Sequence, residues 1–353
     1  MSIRTSMRVA VVTCWPPSVA TGSGTAVAQH GLTDALARAD AHATVHTTSA
    51  FAASWPGVVR RFLKNALAMP DLRGYRAVLG VDGEGWLWMR RHNVPPYIAL
   101  SKAVLVDVWP FEGPHWRRLL KVQGAWEAAA ARRASVVITA SAYAADRLAR
   151  GYGVPRSQIQ VVPEPFDVDR WQARLPHADR EPIVLAIGHA YPRKNYAALL
   201  RAWPLVAGQR PDARLVMVGH GPEQATLQRL AAGHPSIHLR GHVSFEELQR
   251  LYARARVFCH PSLQENFGIA VVEALASGLG VVVHQQPAVA ETVSGLPGTW
   301  VADTRAPERL ADALLEALDG PPSWPDVRLD GLRARLDPVT VGRQLRAIVE
   351  AAT

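Results

Sequence analysis

Two carboxylates stand with seven residues between them in Pro261-Ser262-Leu263-Gln264-Glu265-Asn266-Phe267-Gly268-Ile269-Ala270-Val271-Val272-Glu273. Glu273 lies among Ile269, Val271, Val272 and Leu275. A lone carboxylate in such company is costly unless it is paired or accepts from a ligand hydroxyl. Glu265 falls in the preceding loop. Phe267, Gly268 and Ile269 would sit at a helix start, where free backbone amides can meet a phosphate or sugar oxygen. A second stretch, Gly188-His189-Ala190-Tyr191-Pro192-Arg193-Lys194-Asn195, sets two cations side by side ahead of a helix. Positive charge is unfavourable at that end of the helix dipole. A bound diphosphate would reverse the balance, with Arg193 as a planar fork and Lys194 as a point charge. Lysine occurs elsewhere only at Lys64, Lys102 and Lys121, which singles out Lys194.

Three glycine turns could also receive a ligand. Gly22-Ser23-Gly24 follows a strand and precedes a helix, a setting that suits an anion. It lacks the third glycine of GxGxxG, which argues against a dinucleotide, and a plain flexible turn explains it equally. Gly219-His220-Gly221-Pro222 reads as structural. In Gly241-His242-Val243-Ser244, Ser244 and Glu247 form a capping box, and the loop at Val243 could touch a base through its backbone.

The elements that must carry these residues alternate along the chain. Short β-branched runs read as buried parallel strands over 7–13, 42–48, 77–81, 103–108 and 135–139, with helices over 26–37, 114–133 and 142–152, and 154–162 extends through a turn to a further strand. A polar stretch over 171–181, containing Pro176, reads as a linker. A second alternation follows, with strands over 183–187, 214–218, 237–240, 255–259 and 280–283, and intervening helices that include 196–206 and 268–277. Helices over 307–318 and 331–351 close the chain. The expectation is an α/β protein of two Rossmann-like doubly wound parallel-sheet domains facing a cleft. Residues 1–170 form one domain, residues 171–337 the other, and a terminal helix over about 338–353 returns to the first. Open parallel sheets bind ligands at the C-terminal ends of their strands, where the motifs above fall.

Composition narrows the classes. The chain has 353 residues, 48% hydrophobic and 20% charged, enough for a sizeable core. Cys14 and Cys259 cannot build a disulfide framework or a four-cysteine zinc site. No apolar run reaches the roughly 18 residues of a membrane span, and residues 1–9 show no signal-peptide pattern, so a cytoplasmic location is expected. The net charge of +9 sits almost wholly in residues 1–170, with 20 Arg and Lys against 12 Asp and Glu. No basic run is interleaved with aromatics, so nucleic acid is not an expected partner. The basic half suits an acidic substrate or an anionic membrane surface, and general solubility explains it as well. Residues 55–69 place Val58, Val59, Phe62, Leu63 and Leu67 near one helical face, with Arg60, Arg61 and Lys64 beside them. That pattern fits a helix packed on the sheet or one lying on a membrane at the inner face.

With these motifs in order, the chain resembles the family 4 retaining glycosyltransferases of the GT-B fold. The hallmark is Glu265, seven residues, Glu273, then the Ala274–Gly278 helix end. Pro192-Arg193-Lys194-Asn195, Gly219-His220-Gly221, Pro261-Ser262 and Glu291 accompany it. The resemblance implies a transfer from a nucleotide-diphosphate sugar to an acceptor hydroxyl in cell-envelope glycan, glycolipid or secondary-metabolite synthesis. It puts Arg193 and Lys194 on the diphosphate, Glu265 on donor-sugar hydroxyls and Glu273 on the ribose. Phe267, Gly268 and Ile269 would offer backbone contacts, and Gly22 and Gly24 would lie near the reacting centre. Relatives often carry a histidine near the end of a mid-domain strand of the first half. The stretch over 104–110 has none, and Asp107 is the nearest polar substitute, with Asp82 and Glu84 as others. A front-face transfer is expected, with the two cations doing the work of a metal, so neither cofactor nor metal is expected. The partners implied are the donor and an acidic or lipid-linked acceptor, with peripheral membrane contact. A sugar-nucleotide epimerase and an idle sugar-nucleotide-binding protein share the architecture.

Overall fold

The computed structural model describes residues 7–15, 24–48, 54–90, 94–172, 180–320 and 327–353. The chain divides into two compact units, Met1–Phe166 with Leu336–Thr353, and Asp167–Arg335.

The first unit runs β1 (Met7–Thr13), α1 (Gly24–Arg38), β2 (Ala41–Thr47), α2 (Trp55–Leu67), β3 (Ala77–Val81), β4 (Tyr97–Ser101), α3 (Leu105–Val108), α4 (Pro114–Arg133), β5 (Val136–Thr139), α5 (Ala142–Tyr152) and β6 (Ile159–Val161). Its sheet is parallel throughout, in the order β2-β1-β3-β4-β5-β6. Successive strand residues face opposite sides. Val9, Val11, Leu79 and Ile98 therefore join Leu36 in one core layer, and Ala10, Val12, Val78 and Tyr97 join Leu148 in the other. The C-terminal helix Pro338–Ala351 adds Leu345 and Val349 to the first layer. It lies close on α1 because residue 342 is glycine: a Cβ there would meet Ala35 O at 2.0 Å. Arg346 fastens the contact by donating to Ala39 O at 2.9 Å.

The second unit runs α6 (Val168–Gln172), β7 (Glu181–Ile187), α7 (Tyr196–Gln209), β8 (Arg214–Val218), α8 (Gln224–Ala231), β9 (Ile237–Arg240), α9 (Phe245–Arg254), β10 (Ala255–His260), α10 (Ile269–Ala276), β11 (Gly280–His284), α11 (Pro287–Val293), β12 (Thr299–Ala302), α12 (Pro307–Asp319) and α13 (Val327–Leu336). The order is β12-β11-β10-β7-β8-β9, again all parallel. The chain winds outward from β7 on one side and from β10 on the other. The crevice at the carboxyl ends of those two central strands is the switch point where doubly wound sheets take ligands. Val184 and Ala186 pack with Leu199, Trp203 and Leu314 beneath it.

Three expectations are corrected. The strand expected over 103–108 is a loop and the one-turn helix α3, and the sheet is continued by Tyr97–Ser101 instead. The short apolar run Ala103–Val106 satisfies both periods, and Pro95-Pro96 marks where the strand begins. The single helix expected over 331–351 is α13 and a separate helix, α14 (Pro338–Ala351). Pro338 ends the first, and Asp337 caps the second by accepting from Thr340 N at 2.8 Å. The stretch expected as a linker over 171–181 begins inside α6 and ends in β7, and residues 173–179 lie outside the described residues.

The amphipathic helix α2 is turned from the face expected of it. Val58, Arg61 and Asn65 point inward, and Phe62 stacks on Trp126 of α4 at 4.3 Å. Trp55, Val59, Leu63 and Leu67, one turn apart, stand 41%, 53%, 54% and 74% exposed.

Candidate active site

The switch point of the second unit gathers the residues singled out by type. After β7 the chain makes one tight turn, Pro192–Lys194, and Asn195 enters α7 at φ +55°, a conformation asparagine tolerates. The turn aims Lys194 at the loop after β10, where its ammonium donates to Glu265 Oε1. His260, the last residue of β10, reaches the same oxygen with Nε2 at 2.9 Å. Gln286 Nε2 donates to the Glu265 carbonyl at 3.0 Å and fixes the loop backbone. Glu265 Oε2 has no hydrogen-bond partner among the described residues.

Burial by itself would raise the Glu265 carboxyl, but the Lys194 ammonium and the His260 N–H hold it well below the usual carboxylate range. Burial lowers Lys194, and Glu265 opposes that shift. Burial likewise lowers His260 against the pull of Glu265. Arg193 stands next to this pair rather than in it. Its guanidinium lies over the Tyr191 ring at 5.1 Å, and its carbonyl accepts from Leu263 N at 2.8 Å and from Ser262 Oγ at 3.3 Å.

Gly268 turns the chain into α10 at φ +89°, where a side chain would be strained. Phe267 is buried, and its carbonyl accepts from Thr292 Oγ1 at 2.9 Å. Ile269 opens the helix. Glu273 follows one turn in, 9% exposed, with Oε2 accepting from the Tyr252 hydroxyl at 2.8 Å. Oε1 has no hydrogen-bond partner among the described residues. Burial pushes this carboxyl up to about 7, and the Tyr252 hydroxyl only partly offsets it. Val243 lies in the loop after β9, where Ser244 Oγ caps α9 by accepting from Glu247 N at 3.1 Å. His189 and His242, after β7 and β9, approach within 6.1 Å.

The remaining expected residues lie in the first unit. Gly24 opens α1, and Gly22 lies outside the described residues. Asp107 is on α3 and not at a strand end. Arg147 Nε donates to its Oδ1 at 2.7 Å and Tyr143 donates to its Oδ2 at 3.2 Å. Asp82 Oδ1 accepts from Lys102 N at 2.9 Å. Glu84, fully buried, is held by Arg61, by Asn65 at 2.8 Å and by Thr48. All three substitutes for the absent histidine are thus engaged in holding the fold. The Asp-x-Asp at Asp167–Asp169 is engaged likewise, with Asp167 accepting from Arg170 N and Asp169 paired with Arg333. Among the described residues no three His, Cys, Asp or Glu side chains are grouped to hold a metal ion.

Sequence reasoning missed His260 and Tyr252. The signal for His260 was available: a polar residue closing the apolar run Val257-Phe258-Cys259, at the end of a strand where ligands sit. Tyr252 carried none, because one aromatic on an amphipathic helix reads as core.

Two Rossmann-like units, each built on a six-stranded parallel sheet, define the architecture of the GT-B fold. The pattern described as Glycosyltransferase Family 4 matches residues 11–170, and that described as Glycosyl transferases group 1 matches residues 181–320. The chain belongs to this family. A GDP-mannose-dependent monoacylated alpha-(1-6)-phosphatidylinositol monomannoside mannosyltransferase of Corynebacterium glutamicum is 30% identical over 165 residues, 44% of this chain and 43% of that protein. The GDP-mannose-dependent alpha-(1-6)-phosphatidylinositol monomannoside mannosyltransferase of Mycobacterium tuberculosis is 32% identical over 204 residues, 52% of each chain. The chain spans about half the length of the curated relatives it matches. The solved sucrose-phosphate synthase of Thermosynechococcus elongatus superposes with a TM-score of 0.74 at 19% identity, over 98% of both chains, a likeness of fold.

Proposed function

We propose that this protein is a retaining glycosyltransferase that moves a sugar from a nucleotide-diphosphate sugar to the hydroxyl of a lipid-linked acceptor. The observation that carries the reading is the Lys194–Glu265–His260 cluster at the switch point of one sheet, with Glu273 one turn into the helix that follows the Glu265 loop. Glu265 Oε2 accepts from donor-sugar hydroxyls, and Glu273 Oε1 from the ribose. Lys194 and Arg193 neutralise the departing diphosphate, and backbone groups at Val243, Phe267, Gly268 and Ile269 border the nucleotide. The acceptor oxygen attacks from the face the diphosphate leaves, because Glu265 is committed to the donor-sugar hydroxyls and does not itself attack the anomeric carbon. Charge neutralisation by two cations makes the reaction insensitive to chelators.

The names of the relatives make GDP-mannose the first donor to try and a phosphatidylinositol mannoside the first acceptor. The exposed stripe Trp55, Val59, Leu63 and Leu67 of α2, with Arg60 and Lys64 alongside, suits peripheral binding to an anionic bilayer. Among the described residues no helix is long and apolar enough to cross a membrane.

The test is to incubate the protein with labelled GDP-mannose, then with other nucleotide-diphosphate sugars, with and without phosphatidylinositol monomannoside and with EDTA present. Acceptor-dependent release of nucleoside diphosphate, with the donor's anomeric configuration kept in the product, is expected. Donor turnover without acceptor would replace this reading with an epimerase or hydrolase. Binding without turnover of any donor would replace it with a sugar-nucleotide-binding protein.

A further inference from the structure

We infer that His260 is the positioning residue of Glu265: its neutral imidazole donates from Nε2 to Glu265 Oε1 and holds the carboxylate so that Oε2 faces the donor sugar. The inference rests on the reading of Glu265 given above.

The geometry assigns the tautomer. His260 closes β10 opposite Val283 of β11, stacks on Phe258 with ring centroids 6.1 Å apart, and is 2% exposed. Its Nε2 is 2.9 Å from Glu265 Oε1, whereas its Nδ1 is buried and has no hydrogen-bond partner among the described residues. A single ring proton therefore belongs on Nε2, where an acceptor waits. A second proton would leave a buried N–H unpaired and add charge beside Lys194 and Arg193, which, with burial, keep the ring below its usual titration range. The other titratable groups around the pair are Tyr196, with a buried unpartnered hydroxyl, and the buried Cys259 thiol; burial raises both.

Lys194 cannot hold Glu265 alone through a turnover. Its ammonium sits on a flexible four-carbon stem, and a bound diphosphate competes with the carboxylate for it. The imidazole is locked by strand and stack, carries no charge to be drawn away, and keeps its grip when Lys194 shifts. A neutral, rigid donor beside a mobile charged one lets the lysine serve the leaving group without releasing the carboxylate.

The experiment compares His260→Leu, which removes the donor, with His260→Gln, whose amide N–H reaches a similar distance. Both are measured in the full chain with the donor identified by the transfer assay. For His260→Leu, kcat falls about 10- to 100-fold, the loss typical of a charge-assisted hydrogen bond, while donor KM changes less than about threefold. The acid limb of its kcat profile moves up by about one pH unit, because Glu265 loses a donor that holds its proton off. His260→Gln recovers most of kcat and the wild-type limb. If His260→Leu does not fold, His260→Asn, polar but too short to reach, takes its place. Wild-type kcat and acid limb in a folded His260→Leu protein overturn the inference, as does a folded His260→Gln as impaired as His260→Leu. Nitrogen-15 NMR of the unliganded protein gives a readout independent of activity: one His260 proton, on Nε2, at pH 7 is expected, and a doubly protonated ring refutes it. Glu265→Gln separates the two layers. If it leaves kcat intact, the reading of Glu265 falls; if it lowers kcat and His260→Leu does not, only the role of His260 falls.

Discussion

The two units each shield carboxylates from water and treat them differently. In the first unit Glu84 is held through both oxygens by Arg61, Asn65 and Thr48, and Asp107 by Arg147 and Tyr143. In the second, Glu265 and Glu273 each give one oxygen to the protein and keep the other open. A saturated carboxylate fastens loops together. A half-saturated one, largely shielded from water, has binding energy left for a ligand. Acidity does not separate the two cases, but the number of oxygens engaged does.

The largest effect that would sharpen this contrast is on stability. Arg61→Ala strands Glu84 without its cation in a fully buried site, and should destabilise the protein by about 3–5 kcal/mol. Urea unfolding followed by intrinsic fluorescence measures it, and a loss under 1 kcal/mol would mean the first unit's carboxylate is not saturated after all.

Lys194→Ala should next lower kcat/KM by about 2–4 kcal/mol in activation free energy while the melting temperature holds within a few degrees. Steady-state kinetics beside a thermal scan distinguish this from the Arg61 result. Unchanged kinetics in a folded protein would erase the difference between the two sheet ends.

Glu273 and Glu265 should respond to pH in opposite senses. The Glu273 pKa is raised to about 7, so the folded state holds its proton more tightly than the unfolded chain. Its contribution to stability is fully present below about 4.5, the ordinary value, and is lost as pH rises through 7. Glu265 lies well below that ordinary value, so its contribution is present above it and is lost only in acid. If ionised Glu273 takes the ribose as proposed, nucleotide-sugar binding should tighten by roughly tenfold as pH rises through 7. Calorimetric titration at several pH values checks this, and Glu273→Gln should bind more weakly with that slope gone. Because the ribose is unchanged during transfer, Glu273→Gln should act through KM and Glu265→Gln through kcat. The reverse would exchange their roles.

The smallest effect lies on the outer face of α2, where four large apolar side chains stand exposed one turn apart. Leu67→Ser should weaken binding to anionic vesicles by about 1 kcal/mol, without changing helicity. Co-sedimentation that is equal for both proteins, or equal on neutral vesicles, would return α2 to an ordinary packed helix.

Much of the architecture was legible because its signals are local. Buried parallel strands show as short, mainly apolar runs rich in valine, and 7–13, 77–81, 214–218 and 280–283 carry that signal. The strand expected over 103–108 failed for the same reason in reverse: a short apolar run fits a helix turn as well, and pairing with Ala77–Val81 and Val136–Thr139 chooses Tyr97–Ser101 for the sheet. The face of α2 was misassigned because Arg61 and Asn65, polar by type, are drawn inward by Glu84, a partner nineteen or more residues away.

The sequence by itself determined the alternation of strands and helices, the glycine at 268, and the pairing of Glu265 with Glu273 around it, since these depend on backbone conformation and residue spacing. Only the tertiary structure decided which carboxylates keep an open oxygen. Lys194, His260 and Glu265 come from the ends of two strands that are neighbours in the sheet but about 70 residues apart in the chain. Tyr252 reaches Glu273 across 21 residues. A hydrogen bond depends on distances of a few tenths of an ångström between groups remote in sequence, and those distances exist only once the sheet has formed.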